Sequence, residues 1–368
     1  MIVAAEKKDF GELLDFENRV FKIDFSKKVG KIYSYPETAA FHGIFREKGK
    51  IAGAVLVAPG KLVLPSGNLI TAGIGSVAVA KSQRGKGIMN ELMLYALKKS
   101  NELGADIGVL SGYRGRYERY GYVPCAIRYN AEISDHFLLR HKAEKSFEFQ
   151  KPEGKSALKE IEALHNSLPA FHERESEKLF SILSTWNSEP LLVLDESGKT
   201  AGYLIFKGDE KAVSELVLKN SDDVSDVLFA FGKAKKLKSG FHLWISPFQP
   251  ELLRKVLLFA EHYSIETAAS IKFFNYKNVV EKLFSFRQKL SPLPDGSLVL
   301  KLGEETLEVT LKNGSVSVSE TAKEPELSFS EREATLLLTR PEAAQSSNAL
   351  FNAWSPLCPF GIFSADKV

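Results

Sequence analysis

The 368-residue sequence predicts a mixed α/β protein, α+β in its last part, built as three domains of which the first two share one element order. Three observations predict it. An alternating apolar run, Val77 to Val79, leads into a basic glycine turn, Gln83-Arg84-Gly85-Lys86-Gly87, and then a helix-like segment with Met89, Leu92, Met93 and Leu97 on one face. Residues 146–285 repeat a strand meander, helix, strand, helix, strand succession. Residues 286–368 turn to short alternating strands and close on a tail rich in aromatic residues.

The elements follow in order. Residues 9–22 place Phe10, Leu13, Leu14, Phe16, Val20 and Phe21 at helical spacing, an amphipathic first helix. Residues 40–47 read as a strand. The run from Ile51 reads as a second strand that ends at Pro59-Gly60 and hands over to a hairpin partner. In the next strand, Gly73 and Gly75 mark a bulge or a close backbone approach. After the helix come a buried strand (ADIGVLSG), a short turn segment ending at Gly121, and a strand near Cys125.

Composition narrows the function. The 49 basic and 46 acidic residues leave a net charge of +3, which argues against a general nucleic-acid binder. Cys125 and Cys358 have no paired spacing and read as buried thiols in a reducing compartment. No signal-peptide core and no membrane span is read, so a cytoplasmic protein is expected. The sequence contains no Walker loop, zinc spacing or dinucleotide GxGxxG, so no metal is expected.

The stretch from Ile74 to Met89 sets the chemistry. A strand, a glycine-rich basic loop and a helix N-terminus present free backbone N–H groups to an anion such as a diphosphate. Gly85 and Gly87 let the backbone approach without a Cβ clash. The segment Arg84-Gly85-Lys86-Gly87-Ile88-Met89, followed some thirty residues later by Tyr117-Glu118-Arg119-Tyr120-Gly121-Tyr122, resembles the GNAT acyltransferase superfamily. Met89, where the superfamily signature has a small residue, resembles the Eis-like (enhanced intracellular survival) subgroup.

The resemblance implies acetyl-CoA as co-substrate, two tandem GNAT-like domains and a sterol-carrier-like C-terminal domain. On that basis residues 1–145 are the catalytic GNAT domain, 146–285 a degenerate GNAT-like copy and 286–368 the sterol-carrier-like domain. In the copy, Asn220-Ser221-Asp222-Asp223 replaces the glycine loop, and two carboxylates there repel a phosphate. Cofactor contacts are expected from Val77, Ala78, Val79, Arg84, Gly85, Lys86, Gly87, Ile88, Met89 and Asn90. The pantetheine arm pairs with the Val77–Val79 backbone as an added strand, and an N–H near Val77 polarises the thioester carbonyl.

The family's tyrosine in the short segment protonates the departing thiolate, a role that falls on Tyr117. The subgroup's base is the chain's own terminal carboxylate, here that of Val368. Asp24 and Asp366 are candidate contacts for a cationic amine. The acceptor implied is an aminoglycoside-, polyamine- or lysine-like amine, on a small molecule or a peptide. A homo-oligomer, a hexamer in the subgroup, is implied as well. The rival reading is a non-catalytic CoA- or lipid-binding interaction protein. The tail adds one inference of its own. Phe351, Trp354, Leu357, Phe360, Ile362 and Phe363 would make a large apolar patch if exposed, so the C-terminus is expected to be packed.

Overall fold

The computed structural model describes residues 1–343 and 345–368. Its first part runs β1 (Val3–Ala4), α1 (Phe10–Phe21), α2 (Phe25–Lys28), α3 (Gly30–Tyr33), β2 (His42–Glu47), β3 (Lys50–Leu64), β4 (Gly67–Val79), α4 (Ile88–Glu102), β5 (Ile107–Leu110), α5 (Arg114–Tyr117) and β6 (Val123–Ile133). The amphipathic α1 lays Leu13 and Phe16 into the core. The strand from Lys50 does not end at Pro59-Gly60, as the sequence suggested. It continues to Leu64, and Pro59 and Gly60 pair with Ala72 and Thr71 of β4. Proline is tolerated because it falls in a gap on the other edge. There β2 stops pairing at Leu56, and the next partner begins at Leu62.

The second part runs α6 (Asp135–Arg140), β7 (Glu148–Gln150), α7 (Gly154–Asn166), β8 (Phe171–His172), α8 (Leu179–Leu183), β9 (Glu189–Leu194), β10 (Thr200–Lys207), β11 (Ala212–Leu218), α9 (Val224–Ala234), β12 (Phe241–Ile245), α10 (Pro250–Val256), β13 (Tyr263–Phe273) and α11 (Tyr276–Leu290). Both parts join in one 13-stranded sheet, ordered β1-β2-β3-β4-β5-β13-β6-β12-β11-β10-β9-β7 with β8 on β3. The order has a near two-fold logic. In each part a meander ends in a parallel step, β4 to β5 and β11 to β12. Beyond that step each part receives the other's last strand. β13 pairs with β5, β6 pairs with β12, and β6 and β13 pair with each other in the centre.

The third part forms a separate four-stranded sheet: β14 (Gly296–Leu302), β15 (Glu305–Lys312), β16 (Ser315–Glu320) and β17 (Leu327–Phe329). Helix α12 (Glu331–Thr339) starts on a Ser330–Glu333 capping box, and α13 (Ala349–Trp354) follows. The tail is packed as its aromatics require. Phe351, Trp354, Leu357, Cys358 and Phe360 are fully buried, in a core shared with α11 and this sheet. Cys125 and Cys358 are free and buried. Among the described residues, no helix is long and apolar enough to cross a membrane.

The tail then crosses the large sheet. The Phe360 carbonyl accepts from the Ile127 N–H of β6. The Lys367 ammonium donates to the Ala268 carbonyl of β13 at 2.6 Å. Val368 ends against β4, where a Cβ on Gly73 would come within 2.8 Å of its Cγ2 and one on Gly75 within 3.2 Å of its carboxyl carbon.

Candidate active site

The site is built by a defect in β4. Its parallel pairing with β5 stops at Ile74↔Leu110, yet β4 continues to Val79. Between the pairs Leu56↔Gly75 and Ala54↔Ala78 the register slips by one residue, with the extra residue on β4. Ser76 sits in this bulge with φ +47°, unusual for a non-glycine residue. The bulge frees the Val77–Val79 backbone from β5 and opens the strands into a groove.

That groove has a volume of about 580 Å³ and is lined by Val77, Ala78, Val79, Arg84, Gly85, Gly87, Ile88, Met89 and Asn90, together with Val20, Phe21, Gln83, Arg116 and Arg119. Gly85 and Gly87 both have φ +79°, which explains their residue type. Gly87 is the N-cap of the 15-residue α4, and no side chain caps that end. The Asn90 N–H turns back to the Gly87 carbonyl at 2.9 Å, while those of Ile88 and Met89 have no partner among the described residues and are available to an anion, with the positive end of the helix dipole behind them. The loop's basic side chains are tied back. Arg84 Nε donates to the Val79 carbonyl at 3.3 Å, and Lys86 Nζ donates to Gln83 Oε1 at 2.9 Å. Lys86, alone of the expected contacts, does not line the groove.

In the second part the turn before α9 is occupied by its own cap and ion pairs. Asn220 caps the turn Ser221–Asp223, Lys145 pairs with Asp223, and Lys255 pairs with Asp222.

On the other side of the bulge lies a cavity of about 160 Å³, into which Gly73 and Ile74 of β4, Leu110 of β5, Lys31, Arg174, Asp366, Lys367 and Val368 all face. Gly75 and Ser76 thus sit between a groove with free N–H groups and a cavity lined by Val368. The tail is anchored by Arg174, a residue the sequence reading passed over. Its Nε and Nη2 donate to Asp366 at 2.7 and 3.1 Å, and its Nη1 and Nη2 donate to Glu215 at 2.9 and 2.8 Å. Burial opposes ionisation of both carboxylates, but the guanidinium overrides it and holds both below the ordinary carboxylate range. Asp366 is thus a lock for the tail, already neutralised. Asp24 lies outside both cavities, where it caps α2 and accepts from Ser26 Oγ at 2.6 Å.

Tyr117 lines neither cavity; it packs in the apolar cluster that includes Ile74, Val77, Ile88 and Leu110. Its ring lies so close to Gly112 that a Cβ there would approach Cε2 to 2.7 Å. Burial raises its hydroxyl pKa, so the phenol keeps its proton. Tyr120 is engaged elsewhere, accepting from Arg119 and donating to Asn90 Oδ1 at 3.1 Å.

A second polar chain runs from the bulge into the core, and sequence reasoning missed it. His42 Nδ1 lies 3.1 Å from the Thr38 carbonyl, which can only accept, so Nδ1 carries the proton and Nε2 is an acceptor. Tyr33 donates to Nε2 at 3.3 Å, leaving its oxygen to accept from Ser76 Oγ at 2.7 Å. Burial pushes the His42 pKa down to about 4 and keeps the ring neutral. Beyond it lies Glu17, fully buried, with Oε1 3.9 Å from His42 Nε2 and neither oxygen hydrogen-bonded. The hint in the sequence was a glutamate on the apolar face of α1.

Comparison with known proteins agrees with this geometry. Residues 2–125 match the family described as acetyltransferase (GNAT) domain, so the chain contains an acetyltransferase domain. The fold as a whole is similar to the crystal structure of a GCN5-related N-acetyltransferase from Kribbella flavida, with a TM-score of 0.72 at 15% identity over 100% of this chain and 98% of that one. A GCN5-related N-acetyltransferase from Anabaena variabilis gives 0.67 at 16% identity over 99% and 98%. Eis1 from Mycobacterium abscessus gives 0.66 at 12% identity over 100% of each chain. No curated protein matches the sequence.

Proposed function

We propose that this chain, with its GNAT acetyltransferase domain, moves the acetyl group of acetyl-CoA to a primary amine by direct attack. The observation that carries the reading is that two cavities flank the Gly75–Ser76 bulge along β4, one with uncapped helix N–H groups and one lined by Val368. The Gly85–Gly87 loop and the first turn of α4 hold the diphosphate. The Val77–Val79 backbone, left unpaired by β5, pairs with the pantetheine amides. Acetyl-CoA supplies an activated acetyl thioester. The Val368 carboxylate takes the proton of the incoming ammonium; among the described residues no hydrogen bond or ion pair engages it. Tyr117 gives its proton to the thiolate. Ser76, whose hydroxyl points its proton toward Tyr33, offers a lone pair beside the reacting centre.

The tandem arrangement fits residues 146–285 as a copy that kept the meander and lost the anion loop. The reading of 286–368 as a sterol-carrier-like domain rests on layout alone, and its role here is to deliver the tail. Aminoglycosides, polyamines and lysine side chains are the acceptors the resemblance implies.

The test is CoA release with purified protein, acetyl-CoA and a panel of primary amines. Acetylation of at least one amine is expected, with acetyl-CoA binding saturable. Acetyl-CoA binding without acetylation of any amine would overturn the reading. Extending the chain by a few residues after Val368 is expected to lower kcat by roughly 10²–10⁴-fold, the range of a lost general base. Normal turnover in the extended protein would remove Val368 from the mechanism.

A further inference from the structure

The cavity that holds the chain terminus says more about the amine than its mere presence does. Its size is the first constraint. A cavity of about 150 Å³ encloses a benzene molecule, so the roughly 160 Å³ here encloses about six non-hydrogen atoms. The cavity opens to solvent, so a multi-ring aminoglycoside places only its reacting end inside it.

Charge is the second constraint, and it is independent of the first. The walls carry Lys31, Lys61, Arg174, Lys178 and Lys367 against Glu173, Glu175, Asp366 and the terminal carboxylate, five cations to four anions. His172 adds no charge, since burial pushes its pKa down to about 4. Most of these groups neutralise one another. Lys61 pairs with Glu173 at 2.7 Å, Lys178 with Glu175 at 2.8 Å, and Arg174 with Asp366 at 2.7 Å. Three groups remain. The buried Lys31 ammonium donates to a single backbone carbonyl, Ala365, at 2.6 Å, and Lys367 does the same to Ala268. Each keeps further N–H donors to spare. The third is the Val368 carboxylate, which has no ion-pair partner among the described residues.

Burial pushes the Lys31 pKa down to about 8 and, with Arg128 and Lys207 nearby, that of Lys367 to about 7, so Lys31 carries most of the unmatched positive charge near neutral pH. A polycation therefore meets one free anion and this cation, a poor match at low dielectric. One ammonium and one oxyanion match it well. Resting on the acetyltransferase reading above, we infer that the acceptor is a small primary amine that also carries an anionic group, of the size and charge pattern of a free amino acid. Its ammonium lies at Val368, and its oxyanion takes the spare donors of Lys31.

The experiment uses three probes of similar length and different charge: 4-aminobutyrate, butylamine and 1,4-diaminobutane. O-Phosphoethanolamine serves as a second oxyanion arm. CoA release is measured for each with the full chain. The expected result is a kcat/KM at least tenfold higher for one of the oxyanion-bearing amines than for both other amines. Which arm leads tells carboxylate from phosphate. Lys31→Met is expected to erase most of that preference through KM, while acetyl-CoA affinity stays unchanged because Lys31 does not line the groove. A preference for the diamine or for butylamine overturns the inference and leaves the acetyltransferase reading standing. A Lys31→Met protein that keeps the full preference overturns it too. If that variant does not fold, the wild-type ranking decides alone. Failure of every amine, with acetyl-CoA bound, overturns the reading and the inference together.

Discussion

Glu17 offers a test that needs no substrate. Its carboxyl is fully buried, neither oxygen has a hydrogen-bond partner, and burial pushes its pKa up to about 8. An unfolded glutamate ionises near 4.5. Below that value the group is protonated in both states and stability does not depend on it. Between 4.5 and about 8 the unfolded chain releases the proton while the fold retains it, so stability falls as pH rises. Above about 8 the loss levels off. At pH 7 the gap is about 2.5 pH units, and at about 1.4 kcal/mol per unit Glu17 costs the fold about 3 kcal/mol. Glu17→Gln has nearly the same shape and no ionisation. The variant's stability relative to the parent is therefore expected to rise by about 3 kcal/mol between pH 4.5 and pH 7, whatever fixed cost the amide brings. Urea unfolding of both proteins at half-unit pH steps, followed by tryptophan fluorescence, measures the difference. His42 titrates in both proteins and cancels. A flat difference across pH 5–8 would refute the buried neutral carboxyl. A difference of opposite sign would mean that Glu17 is ionised in the fold against a charged His42.

Three further outcomes are expected. Tyr117→Phe lowers kcat by roughly 10²-fold or more and leaves acetyl-CoA affinity within about twofold; unchanged kcat in single-turnover assays removes Tyr117 as the acid. Gly73→Ala brings a methyl to 2.8 Å from Val368 Cγ2, at least 0.6 Å inside the 3.4 Å of ordinary contact (3.4 − 2.8). The terminus must shift, and since 1 Å of misplacement can cost about 10²-fold, kcat is expected to fall about tenfold with the acetyl-CoA KM unchanged; equal kcat means the terminus is not where the proton goes. Arg174→Met leaves Glu215 and Asp366 buried without their cation, at a cost of about 3–5 kcal/mol, and frees the tail to carboxypeptidase; a tail as resistant as the parent's shows that the lock is elsewhere.

Much of the fold was legible in the sequence because it follows local rules. The 3.6-residue spacing of Leu13 and Phe16 produces α1, and two glycines at positive φ mark the turn before α4. The tail's aromatics demanded burial, and they are buried. Pro59 misled because a strand normally loses a ladder bond there, whereas β3 has no partner on that edge at that position. The candidate site was legible only on one side. Nine of the ten expected cofactor contacts line the groove, since loop and helix are contiguous in the chain. Arg174, Tyr33, His42 and Glu17 were not, because each is significant only for what lies across from it.

The sequence alone determined most of the elements, the glycine turn before α4 and the burial of the tail. Each of these depends on residues a few positions apart, where side-chain period, turn chemistry and helix polarity decide the outcome. Only the tertiary structure decided that β6 and β13 change places, that Ser76 is the bulged residue, and that the tail ends on Gly73 and Gly75. Contacts such as Lys31 to Ala365 join positions 334 residues apart, and no local preference encodes them. They arise when the strands pair and the chain's last residues find the one stretch of β4 with no side chain in the way.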